Sequence, residues 1–228
     1  MASGRLLSHF AVYGLRSDFW ELDDEQRDRV SSELRTSLDG TADAVHLYHT
    51  FGTAARGDGL VWSSVAAQDE AAPARFFRRY REALRPFRRY VVVEHALWGL
   101  TAESQYSRGA PERGIDPLTP RSCRYLVVYP FAKTHEWYST PTEERRRMMS
   151  RHIQIGKEHE DVSQQLLYST GLQDHEFVVV YETDDLAGFS SLVMDLRSTE
   201  ARGYTLLDAP VHVGLHWAPD GSDVHSWP

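Results

Sequence analysis

The stretch YLVVYPFAKTHEWYSTPTEERRRMMSRHIQIGKEHEDVSQQLLYSTGLQDHEFVVVYET, residues 125–183, switches between two hydrophobic periods. YLVVY (Tyr125–Tyr129) is a β-branched and aromatic run closed by Pro130, which reads as a strand. Residues 141–158 follow a helical period. Thr140 and Glu143 have the T-x-x-E spacing of a capping box, with Pro141 at the first helical position. Asp161–Ser169 and His175–Thr183 return to strand character. A helix over Asp185–Arg202 and a strand over Val211–Trp217 complete the order β-α-β-β-α-β.

The first half repeats that order. Leu7–Gly14 is strand-like, Asp23–Leu38 is an amphipathic helix, and Ala44–Phe51 and Gly59–Val65 are strands. A helix follows over Glu70–Arg85, with Phe76, Phe77, Tyr80 and Leu84 spaced for one face, and then a strand over Val91–Leu97. Two such copies predict an α+β chain of two ferredoxin-like halves, residues 1–103 and 124–228. The turn-rich segment 104–123, with Gly109, Pro111, Gly114, Pro117 and Pro120, joins them and is expected to cover a site. Each half would carry an antiparallel sheet with helices on one face. The two sheets would either pair into one barrel-like sandwich or stand as independent domains.

Composition narrows the class. The chain has 228 residues, 41% hydrophobic and 11% aromatic, which is enough apolar material for a sizeable core rather than disorder. No apolar run reaches membrane-spanning length, and MASGRLLSHF has no signal-peptide pattern. A single cysteine, Cys123, excludes an internal disulfide framework and fits a reducing, cytoplasmic setting. The net charge of −8 argues against a nucleic-acid partner. There is no GxGxxG, no P-loop and no GxSxG.

The helix over 141–158 is the most readable chemically. Met148, Met149, His152, Ile155 and Gly156 lie three or four residues apart and share a face, while Glu144, Arg147, Arg151 and Glu158 lie opposite. His152 is therefore an imidazole on an apolar stripe. It is either a core histidine with a backbone partner or a ligand offered to a metal or haem iron, whose proximal histidine commonly has apolar helix neighbours. Gly156, one turn on, would let a flat ring approach the backbone. The other ten histidines make no compact metal spacing and are expected to face solvent for the most part.

YLVVYPFAKTHEWY (125–138), RRRMMSRHIQIGK (145–157), GLQDHEFVVVYETDD (171–185) and LRSTEARGYTLLDAPVHVG (196–214), in that order, resemble the chlorite dismutase superfamily, and within it most closely the coproheme decarboxylases. The resemblance is dense over residues 124–214 and thinner over 7–100. It implies a dimeric α+β barrel folded within one chain and a homo-oligomer, commonly a pentamer. It also implies haem (heme) chemistry, with coproheme as both substrate and cofactor and hydrogen peroxide as oxidant. His152 matches the proximal iron ligand and Glu200 the carboxylate that holds the ligand's other ring nitrogen. Tyr129 matches the tyrosine whose radical oxidises the coproheme propionates. Lys133 matches its neighbouring lysine, while Trp137 and Met149 match groups near the porphyrin.

The distal position separates the family's reactions. Chlorite dismutases carry an arginine there, which stabilises an anionic oxidant. Aligned on GLQD, this chain has Gln164, with Gln165 beside it, in the strand DVSQQLLYS, and no arginine. The resemblance thus implies peroxide-dependent decarboxylation of coproheme to haem b. Chlorite decomposition and non-enzymatic haem binding or transfer are the alternatives.

Overall fold

The computed structural model describes residues 5–103, 106, 114–119 and 123–217. In strand β1 (Leu6–Leu15) the alternation of side chains feeds two different cores. Leu7, Ala11 and Tyr13 point towards a helical layer, whereas Phe10 and Val12 point the other way. The short helix α1 (Ser17–Trp20) leads into helix α2 (Asp24–Asp39). Helix α2 begins sharply because Asp23 accepts from the backbone N–H of Gln26, whose side chain accepts from that of Asp23. Strands β2 (Ala44–His49) and β3 (Gly59–Ala66) follow, then helix α3 (Ala72–Leu84), a 3₁₀ turn over Arg85–Phe87 and strand β4 (Val91–Leu100). Phe76, Tyr80 and Phe87 pack with Leu34 and Leu38 of α2 and fill the space under the N-terminal helices.

The second half contains strand β5 (Tyr125–Lys133), helices α4 (His135–Ser139) and α5 (Thr142–Glu158), and strands β6 (Val162–Tyr168) and β7 (Phe177–Thr183). Helix α6 (Leu186–Arg197), a 3₁₀ turn over Glu200–Tyr204 and strands β8 (Thr205–Leu207) and β9 (His212–His216) complete it. The strands run in the order β7-β6-β4-β1-β3-β2-β9-β5, and β5 pairs back onto β7, so eight strands close a barrel to which β8 is appended. Every pairing is antiparallel. The barrel-like arrangement of two ferredoxin-like halves is therefore the one adopted. Phe10, Val12, Leu60 and Trp62 from one half meet Leu126, Val128, Leu167 and Val180 from the other in a shared interior.

The two joints between halves are short, and each requires a glycine. At the first, Leu100 pairs with Tyr168. A Cβ on Gly99 would lie 2.8 Å from Ser169 Oγ and 2.9 Å from the Tyr168 carbonyl oxygen. Side chains complete this joint: Ser169 Oγ donates to the Trp98 carbonyl at 2.7 Å, and Gln173 accepts from the Trp98 N–H at 2.8 Å. At the second, Tyr48 and His49 pair with His216 and Leu215, and a Cβ on Gly214 would meet Tyr48 Cβ at 2.7 Å.

Four sequence expectations are corrected. Strand β5 does not stop at Pro130 but continues to Lys133. Pro130 falls between the last partner of β9 (Val128) and the first of β8 (Ala132), where that edge needs no donor. The capping box at Thr140 does not form. Thr140 instead closes α4 by donating its hydroxyl to the Glu136 carbonyl at 2.7 Å, and Pro141 is the N-cap of α5. Helix α6 ends at Arg197 rather than 202, because the Ser198 and Thr199 hydroxyls donate to the Asp195 and Leu196 carbonyls at the helix terminus. Finally, His9, His175 and His212 are buried rather than solvent-facing.

His9 carries a stability consequence. It is 4% exposed, ringed by Phe76, Phe77 and Tyr80, and its Nδ1 has no partner among the described residues. Burial pushes its pKa down to about 4. The unfolded chain thus binds a proton near pH 6.5 that the folded chain refuses until about pH 4. The stabilisation is complete above pH 6.5 and is lost as the pH falls through that window, at a cost of about 3 kcal/mol from this residue. Urea unfolding midpoints should drop between pH 7 and 4.5, and His9→Phe should flatten the drop. An equally steep loss in His9→Phe would show that other groups carry it.

Candidate functional site

In the second half, Val127, Tyr129 and Phe131 of β5, Val162 of β6 and Val179 and Tyr181 of β7 turn towards α5 and α6. Alternation along β6 puts Gln164, Leu166 and Tyr168 on this helix-facing side, with Ser163, Gln165 and Leu167 towards the barrel interior. Local contacts agree. A Cβ built on Gly156 would lie 3.8 Å from Gln164 Nε2, so strand and helix face each other in van der Waals contact at this point. Gln165 Nε2 donates instead to the carbonyl of Ile115, a residue of the interior core, at 3.3 Å. Of the two glutamines, Gln164 is the one opposite α5.

Helix α5 seats itself with Met148 and Ile155, both buried, and carries half-buried His152 between them. His152 Nδ1 lies 3.5 Å from Thr199 Oγ1. Burial first, and the charge of Lys133 second, push the imidazole pKa down to about 4, so the ring is neutral and able to act as a ligand. Met149 packs beside Trp137, which is buried against Met148 and Ala201. Lys133 Nζ stands 4.6 Å from the Trp137 ring centroid and donates to the Ala201 carbonyl at 3.1 Å. Burial and nearby Arg202 bring the lysine pKa down to about 8, against the opposing pull of Glu176. His152, Met149, Trp137 and Lys133 therefore share one corner of the helical layer.

Tyr129 lies farther along β5. Its ring stacks on Tyr181 at 6.1 Å, and burial, the largest influence, raises its phenol pKa. The two hydroxyls share a hydrogen bond in which either oxygen can donate. Asp208, held by Arg197 at 3.1 Å and Arg202 at 3.0 Å, adds a charged cluster whose field reaches Tyr129.

Glu200 meets Arg147 in place of the imidazole expected of it. Its carboxylate pairs with Arg147 at 2.6 Å, and both side chains are exposed. A guanidinium attracts a carboxylate more strongly than a neutral imidazole does. The sequence reading missed Tyr181 and Thr199. Tyr181 was open to discovery, because Tyr129 pairs with Val179 and residue 181 is its diagonal neighbour on the same face. Thr199 gave no sequence signal beyond standing next to Glu200. Most of the segment expected to cover the site, including Arg108 and Arg113, lies outside the described residues.

The family model described as chlorite dismutase matches residues 16–217, and the chain belongs to that family. A coproheme decarboxylase of Mycolicibacterium smegmatis is 38% identical over 90 residues, covering 40% of this chain and 39% of that protein. The alignment thus spans about two fifths of that relative's length. A chlorite dismutase of Ideonella dechloratans is 27% identical over 204 residues, covering 86% of this chain and 70% of that one. The structure of a chlorite dismutase from Candidatus Nitrospira defluvii in complex with imidazole superimposes with a TM-score of 0.80 at 22% identity, covering 93% of this chain and 91% of that one. Among the described residues no helix is long and apolar enough to cross a membrane, and no cluster of three or more His, Cys, Asp or Glu could hold a metal ion.

Proposed function

We propose that this chain binds iron coproporphyrin through His152 and, with hydrogen peroxide, converts two propionates to vinyl groups, yielding haem b. Each conversion consumes one propionate, one peroxide and one proton and yields one vinyl group, one carbon dioxide and two waters. The bound iron would supply the activation of peroxide. His152, neutral and on the helix side, would hold the metal. Gly156, which has no side chain and faces Gln164, would let a flat ring approach the helix backbone.

The observation that carries this reading is the helix-facing side of β5 and β6 taken together. Strand β6 presents Val162, Gln164, Leu166 and Tyr168 there, with no cation. Strand β5 presents Tyr129, whose phenol stays protonated at neutral pH. An amide can donate a hydrogen bond to peroxide but cannot replace the fixed positive charge that an anionic oxidant such as chlorite requires, and loss of such a donor costs on the order of 10²–10³ in rate. Tyr129 Oη has a hydrogen to give up and regain. Lys133, still largely protonated near pH 7, offers a cation to a propionate carboxylate.

Mass spectrometry of the porphyrin after peroxide addition to the coproheme complex tests this. Stepwise loss of two carboxyl groups is expected. Rapid dioxygen release from chlorite would assign the chain to the other branch of the family. A porphyrin that is bound but unchanged by peroxide would make the protein a carrier.

A further inference from the structure

We propose that Thr199, rather than Glu200, sets which nitrogen of His152 is offered to the iron. This inference rests on the reading of His152 as the iron ligand. The hydroxyl of Thr199 has a single hydrogen and donates it to the Leu196 carbonyl at 2.7 Å. Only its lone pairs are left for His152 Nδ1, 3.5 Å away. Nδ1 must then be the donor. A neutral imidazole carries one N–H, so Nε2 is left with its lone pair, the form a metal takes. Glu200, the next residue, makes its ion pair with Arg147 at 2.6 Å, and it is Thr199 that lies within reach of Nδ1.

The position of Thr199 follows from the way α6 ends. The hydroxyl that terminates the helix by donating to Leu196 is the same one that faces α5. One side chain thus closes a helix and orients a ring on its neighbour. A hydroxyl accepts more weakly than a carboxylate does, so the ring keeps its Nδ1 proton and less charge is pushed towards Nε2. Thr199 is a positioning residue, acting through His152.

The test uses the full chain without porphyrin, labelled with ¹⁵N-histidine, and reads the tautomer of His152 from long-range ¹H–¹⁵N correlations at neutral pH. The wild-type spectrum should show the proton on Nδ1. Thr199→Val should shift the tautomer ratio towards Nε2–H by roughly fivefold, the factor expected for one net hydrogen bond. Thr199→Ser should restore the wild-type pattern, which a purely structural loss at the end of α6 would not explain. Glu200→Gln should leave the pattern unchanged. A wild-type ring protonated on Nε2 overturns the proposal, whatever the variants do. So does a tautomer that responds to Glu200→Gln and ignores Thr199→Val. If Thr199→Val does not fold, the wild-type and Glu200→Gln spectra still decide the matter. No porphyrin is present, so failure of the proposed reaction cannot be confused with failure here.

Discussion

Tyr129→Phe should bind iron coproporphyrin about as tightly as the parent chain and convert almost none of it. The substitution removes one oxygen and keeps the ring that stacks on Tyr181. The lost hydrogen bond with Tyr181 costs roughly 0.5–1.5 kcal/mol of stability. Chemistry is affected far more. A phenol can give up a hydrogen atom at Oη and take it back, and a phenyl ring has no such bond. Loss of a positioned hydrogen-transfer group typically costs 10²–10⁴ in rate. Single-turnover assays with peroxide, read by mass spectrometry, should find unconverted porphyrin. Wild-type conversion by Tyr129→Phe would move the oxidising residue elsewhere, with buried Trp137 the first to examine.

The fold was legible because its signals were local and repeated. Strand period, helix period and turn residues recur in one order in both halves, and closure of the barrel follows once two such sheets share an apolar interior. Helix ends were harder, because they are set by competition between neighbours. Thr140 had the spacing of a capping box for α5 but was taken by α4, a one-turn helix with too few residues to show a period. The site was legible where a residue's position in its own element decides its direction. His152 lies on the seam of α5, and Tyr129 and Lys133 lie on the same strand, β5. It was illegible where partners come from distant segments. Glu200 meets Arg147 and not His152, and only the three-dimensional arrangement shows that a guanidinium competes for it. Likewise, the choice between Gln164 and Gln165 depends on the phase of β6, which one extra or missing residue in the preceding turn reverses.

His152→Ala should abolish histidine ligation of the iron while leaving the fold in place. The side chain is half-buried, and Thr199 Oγ1, which lies beside its Nδ1, keeps the Leu196 carbonyl after truncation. The cost to stability is then that of a modest cavity, on the order of 1–2 kcal/mol. The cost to the metal is much larger. Mutation of a group that merely orients a metal-bound histidine typically weakens the site 10–100-fold, and removal of the ligand should exceed that. His159, the C-cap of the same helix, is engaged with Asp195 at 2.9 Å. The iron–histidine stretch in the resonance Raman spectrum should vanish, peroxide-dependent conversion should fall to background, and far-UV circular dichroism should not change. Added imidazole should enter the vacated space and return the stretch, since what the variant lacks is the donor rather than the pocket. If the stretch survives in His152→Ala without imidazole, the ligand lies on another element, and neutral His152 is a packing residue between Met148 and Ile155.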